Sequence, residues 1–252
     1  MANWNDPQPT TRDTRTGFGG NPTLNGGVIG REDAIDQGLR RYMLSIYNYM
    51  ASGVLLSGVV ALAMFTTGMA ASMVGSPVMW LVVLSPLAIV MAMSFGQNRF
   101  SLPTLQAMFW GFAVLMGMSL STIFLRYTGG SIAATFFATA GAFAGLSLFG
   151  YTTKKSLSGM GTFLVMGVVG LLIAMVINIF LKSPALYWAI SFLGVLIFAG
   201  LTAYDTQRLK QQYVHLQGTE FIGKAIVLGA LTLYLDFINM FQFLLAFMGQ
   251  RD

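Results

Sequence analysis

Ala230-Leu-Thr-Leu-Tyr-Leu-Asp-Phe-Ile-Asn239 lies inside the last apolar run of the chain, Ala225 to Met248. A run of this length crosses a bilayer, whose ~30 Å hydrocarbon core needs about 20 residues of helix. Its middle holds one carboxylate, Asp236. An acid at the centre of a membrane helix costs about 2.5–3.5 kcal/mol even on insertion scales, so it faces protein or a wet cavity and marks a functional site. On a helix, Thr232, Asp236 and Asn239 fall at i, i+4 and i+7, a single stripe. Leu231, Leu235, Phe237 and Ile238 cover the rest of the circumference, so the stripe is expected to face inward.

Composition places the whole chain in the membrane. Of 252 residues, 55% are hydrophobic and 9% charged, against about 25% charged in an average soluble domain. Such a chain cannot cover a water-facing surface. Strict two-residue alternation is absent, which excludes an outer-membrane barrel and leaves an all-α integral membrane protein. There is no cysteine, so disulfides and thiol chemistry are out. The net charge of +5 is carried by residues that cap helices, which speaks for membrane orientation and against nucleic acid.

Seven apolar spans follow a dissimilar beginning. Residues 1–41 are rich in Gly, Asn, Thr and Pro and are expected to form a disordered tail, with a short juxtamembrane helix over Arg31 to Arg41. No apolar core with a cleavage site makes this segment a signal peptide. The seven-helix domain is expected over 42–250, with spans at about 43–66, 77–95, 103–125, 131–151, 159–181, 185–205 and 225–248. With seven spans, Arg31, Arg40, Arg41, Arg99, Lys154, Lys155, Arg208 and Lys210 share one side, and Arg126, Lys182 and Arg251 the other. The excess places the N-terminus in the cytoplasm. A re-entrant last segment, suggested by Asp236 and Asn239, would return the C-terminus to that side. Small residues at Gly141/Gly145, Gly145/Ser147/Gly150 and Gly167/Gly170 allow close helix approach, read first as packing inside the bundle and second as a dimer face.

Between Gln37 and Arg251 the acids are Asp205, Glu220 and Asp236. Glu220 lies in a polar loop. Asp205 ends the sixth span, with Thr202 on its face. Alone, it reads as a helix-end acid bonded to Gln207 or Arg208. Paired with Asp236 it means more. Two carboxylates in a low dielectric cannot both ionise cheaply; they share a proton and titrate as a unit. Deprotonated, they are hard oxygen ligands suited to Ca²⁺. Arg99, capping the second span on the same side, could latch Asp205. The depths conflict, however. Asp205 is expected at the surface and Asp236 about 16 Å deeper, so contact needs a displaced helix or an aqueous vestibule. His215, in the polar segment after Asp205, reads as solvated; Thr139 and Asn178 read as interhelical hydrogen bonds. No nucleophile–base pair assembles, so an enzyme is not expected, and no cofactor is called for.

Phe198-Ala-Gly-Leu-Thr-Ala-Tyr-Asp-Thr-Gln207 and Gly229-Ala-Leu-Thr-Leu-Tyr-Leu-Asp-Phe-Ile-Asn239, with Gly117-Met-Ser-Leu-Ser121 and Asn178-Ile-Phe180, resemble the motifs of the Bax inhibitor-1, or transmembrane Bax inhibitor motif, family over roughly 40–250. The Gly-rich tail and short loops resemble a bacterial member, which implies the inner membrane. The resemblance implies a central C-terminal helix wrapped by two three-helix layers. It implies that Asp205 and Asp236 form a di-aspartyl pH sensor and that the protein passes Ca²⁺ down its gradient. Arg99, 18 positions before Gly117, stands where the family has a basic latch, although its neighbourhood lacks the basic residues of some relatives. A second reading is a regulator without transport that binds a membrane protein such as a membrane-bound ATP-dependent protease. A secondary transporter is a third, without a visible inverted repeat to support it.

Overall fold

The computed structural model describes residues 22–250, with side chains from residue 35 on. The tail expected over 1–41 lies outside the described residues as far as residue 21, as do the side chains of Arg31 and Arg251 used in the charge comparison. From Pro22 the backbone is helical. The chain divides after Gly38, and the bundle is built from Leu39 onward.

The helices are α1 (Pro22–Thr66), a short α2 (Met69–Met73), α3 (Pro77–Gly96), α4 (Leu102–Leu120) running into a 3₁₀ turn (Ser121–Leu125), α5 (Gly129–Thr152), α6 (Ser158–Leu181), α7 (Pro184–Leu216) and α8 (Ile222–Met248). Seven of them are long and apolar enough to cross a membrane, and the described residues contain no strand. The starts follow local chemistry. Ser101, Thr128 and Ser183 each accept a hydrogen bond from the backbone N–H three residues on, capping α4, α5 and α7 and satisfying one of the N–H groups a helix start leaves open.

Two boundaries differ from the sequence expectation. The first helix does not begin at Met43: Leu39, Tyr42, Met43 and Ile46 are all buried, so the packed face already exists a turn earlier. The sixth span does not end at Asp205 either. α7 continues to Leu216, because the polar stretch after Asp205 keeps a buried face through Gln207, Leu209 and Tyr213. Tyr213 packs against Tyr42 in a tilted ring pair with centroids 5.4 Å apart. Gln207 accepts from Leu157 N and donates to Lys155 O, both at 2.8 Å, tying α7 to the α5–α6 loop. His215 therefore sits in the last turn of a helix and not in a loop. Gly218 makes the turn to α8 at φ 77°, a conformation glycine adopts without a Cβ penalty.

α8 is the axis of the bundle. It packs on α4, α5 and α7, and half of its most apolar window is buried, more than for any other span. Around it stand two groups. α3 lies on α4, while α5 and α6 lie on α7. α1 joins the first group through Ser57, whose Oγ donates to Ala113 O on α4 at 2.6 Å and pairs with the Tyr234 hydroxyl of α8 at 2.6 Å. α8 is unbroken over 27 residues, about 40 Å, so no break marks a re-entrant segment.

Close helix approach occurs at part of the small-residue set singled out in the sequence, at Gly150 and at Gly167, which packs on Ile197 of α7, and also at Gly117. A Cβ on Gly150 would clash with Ala203 O of α7, and one on Gly117 would meet Ser57 O of α1 at 2.6 Å. Gly141 and Gly145 have nothing within 4 Å of such an atom. They are not the internal contacts the spacing suggested, because α5 turns that edge away from its neighbours.

Candidate functional site

The two aspartates meet. Their carboxyl groups lie close enough to interact across the α7–α8 interface. Two buried carboxyl groups this close cannot both ionise cheaply, so the arrangement suits a pair that holds one proton between them. Both are buried, Asp205 at 8% and Asp236 at 4% exposure. Asp236 Oδ2 has no hydrogen-bond partner at all.

The expected conflict of depths disappears with the longer α7. Asp205 lies 11 residues before the end of α7, and Asp236 lies 14 residues after the start of α8. Along two antiparallel helices joined by a short loop these are about 16 and 21 Å, within one helical turn of each other. No helix needs to be displaced. Gly229 helps: a Cβ there would sit 2.8 Å from Leu209 Cδ2, so its absence lets α7 approach α8 two turns from Asp236.

A cavity of about 260 Å³ reaches Asp205. It lies between α3, α7 and α8, and its walls run from Val90 and Leu235 to Gln97, Gln212 and Ala225, toward the α7–α8 loop. Asp205 lines it together with Ser94, Arg208 and Thr232, whereas Asp236 does not. Asp205 thus stands between the polar cavity and the sealed carboxyl behind it.

The supporting residues divide. Thr232 is half-buried and lines the cavity, with its hydroxyl donating to Leu228 O at 3.1 Å. Thr202 is fully buried and donates to Phe198 O at 2.8 Å, and Asn239 donates to Leu235 O at 2.8 Å. Neither reaches the cavity. The stripe of Thr232 and Asn239 is also not the most buried face of α8. Leu231, Phe237 and Ile238, expected on the outside, are buried, because a central helix has neighbours nearly all round.

Arg99 is not brought to the pair. It is exposed just past the end of α3 and forms no ion pair with either aspartate. The cation at the site is Arg208, whose Nη1 is 4.0 Å from Asp205 Oδ1 one turn along α7. That spacing was visible in the sequence as i, i+3. Ser94, Gln97 and Gln212 were not singled out there; Ser94 and Gln97 share one face of α3 at the same spacing. Thr139 and Asn178 do not bridge helices as expected: Thr139 donates to Thr135 O of its own helix, and Asn178 Oδ1 accepts from Ser183 N at the α6–α7 junction.

Among the described residues no group of three or more His, Cys, Asp or Glu side chains comes together. Two carboxylates are an incomplete shell for Ca²⁺, which takes six to eight oxygens. An ion here would take its remaining ligands from Thr232, backbone carbonyls and water.

Fold and site together define a class: a multi-pass α-helical membrane protein whose central helix carries a buried carboxyl close to one on the neighbouring helix. The chain belongs to the Bax inhibitor-1 family; the family model described as "Inhibitor of apoptosis-promoting Bax1" matches residues 39–252. It is 47% identical over 227 residues to an uncharacterized protein of Caulobacter vibrioides, covering 86% of this chain and 91% of the other. It is 41% identical over 228 residues to the inner membrane protein YbhL of Escherichia coli K12, covering 88% and 97%. An uncharacterized protein of Rickettsia prowazekii is 44% identical over 232 residues, covering 88% and 94%.

Proposed function

We propose that the protein is a passive, pH-sensitive Ca²⁺ leak path, gated by the Asp205–Asp236 pair in the bacterial inner membrane. The observation that carries this reading is the close, buried pair of carboxyl groups set between a polar cavity and a sealed bundle core. Protonated and shared, the pair ties α7 to α8. Without the shared proton, two like charges face each other in a low dielectric, and that arrangement favours separation of the helices or capture of a cation. Arg208, more than Arg99, is the cation placed to bias the choice. The basic residues around the cavity end support a cytoplasmic mouth and a cytoplasmic N-terminus.

Ca²⁺ flux into proteoliposomes across pH tests this. Wild-type protein should leak with a pH dependence that Asp205→Asn and Asp236→Asn each abolish. Liposomes no leakier than empty ones at every pH would sink the reading. The second reading, a regulator that binds another membrane protein, is favoured by the open Gly141/Gly145 edge of α5, which a partner helix fits. Removing residues 1–38 helps separate the two: an ion path survives the loss, and a partner held by the tail does not.

A further inference from the structure

A second cavity, larger than the one at the aspartates and separate from it, opens between α1 and α5. Its volume is about 710 Å³, within the ~300–1,000 Å³ of ligand sites. The walls are nearly all apolar: Met43, Met50 and Val54 on one side, Ala140 and Ala144 on the other, with Phe237 of α8 as floor. One end differs. Arg40 lines it opposite Tyr151, which is held in place from α7 by Lys210, outside the lining, donating to Tyr151 O at 2.8 Å. The lining runs from Arg40 to Leu55 on α1 and from Tyr151 to Phe136 on α5. Each stretch is about 22 Å along the helix, more than the ~15 Å depth of one leaflet's hydrocarbon.

We propose that this crevice is a binding site for one anionic phospholipid, its acyl chain along the Ala140–Ala144 wall and its phosphate at Arg40. A cationic side chain at one end of a long apolar slot matches a headgroup charge and a chain. Basic pockets between membrane helices hold anionic headgroups by this chemistry. The small side chains of Ala140 and Ala144 leave the width a chain needs. The occupant would rest on Phe237, next to Asp236. It would also lie along the hydroxyl chain Tyr47–Ser147–Thr206, linked at 2.7 and 2.8 Å, which ends beside Asp205. The site depends on neither the Ca²⁺ reading nor the protonation of the pair.

The test uses the full chain in neutral detergent, titrated with phosphatidylglycerol or phosphatidylcholine. Thermal unfolding is followed, and native mass spectrometry counts the lipids retained. Phosphatidylglycerol should raise the unfolding midpoint more than phosphatidylcholine and remain bound one to one. Arg40→Gln, a surface change, should weaken phosphatidylglycerol about fivefold and leave phosphatidylcholine unaltered. Ala144→Phe, filling the slot, should remove retention of both. Equal response to the two lipids in the wild type, or unaltered phosphatidylglycerol binding in Arg40→Gln, overturns the proposal. So does a lipid-independent dimer that Ala144→Phe dissociates, because a second copy would then fill the crevice.

Discussion

At the scale of single residues, the site turns on which charges touch. Arg208 is 68% exposed and its contact with Asp205 is long, so the pair adds little to stability. Arg208→Gln should therefore leave unfolding within about 0.5 kcal/mol of wild type while changing the pH response of flux, and Arg99→Gln should change neither. Thermal melts alongside the flux assay separate the two. Ser57 is the opposite case. Replacing it with Ala leaves the buried Tyr234 hydroxyl without its partner, which costs about 1–3 kcal/mol, read as a lower unfolding midpoint. The two aspartates were legible in the sequence because an acid in an apolar run is expensive and stands out. Ser57 was not, since a lone serine in a membrane helix is cheap on its own carbonyls and its partners lie 56 and 177 residues away.

At the scale of elements, the seven spans were legible from length and apolarity alone, and the error fell where a helix leaves the apolar region. Gln207 to Leu216 is polar in composition, so it resembled a loop. It stays helical because Leu209 and Tyr213 remain buried and Gln207 grips the α5–α6 loop. The same extension brings Asp205 level with Asp236. Proline tests it: Gln211→Pro should cost about 3 kcal/mol or more as a break inside a helix, whereas a loop would tolerate it. Measured unfolding of the full chain decides. Gly150 gives a second check on packing. Gly150→Ala drives a methyl into Ala203 O and should destabilise the α5–α7 contact by about 1–3 kcal/mol.

At the scale of the whole molecule, α8 is both axis and sensor. It is buried by α1, α4, α5 and α7 and carries the carboxyl that Asp205 closes off, so a change in the pair's charge acts where the two helix groups meet. The chain has no cysteine, which makes single-cysteine mapping of orientation direct: Gln217→Cys, in the α7–α8 loop, should react with a membrane-impermeant thiol reagent only from the cytoplasmic face, and Ser183→Cys only from the other. The central claim is that the shared proton of Asp205 and Asp236 controls a Ca²⁺ path. Its most direct measurement is Ca²⁺ flux in proteoliposomes as a function of pH for wild type and Asp236→Asn. The account predicts a pH-dependent leak in the wild type and a pH-independent one in the variant. Identical pH profiles for the two proteins would contradict it.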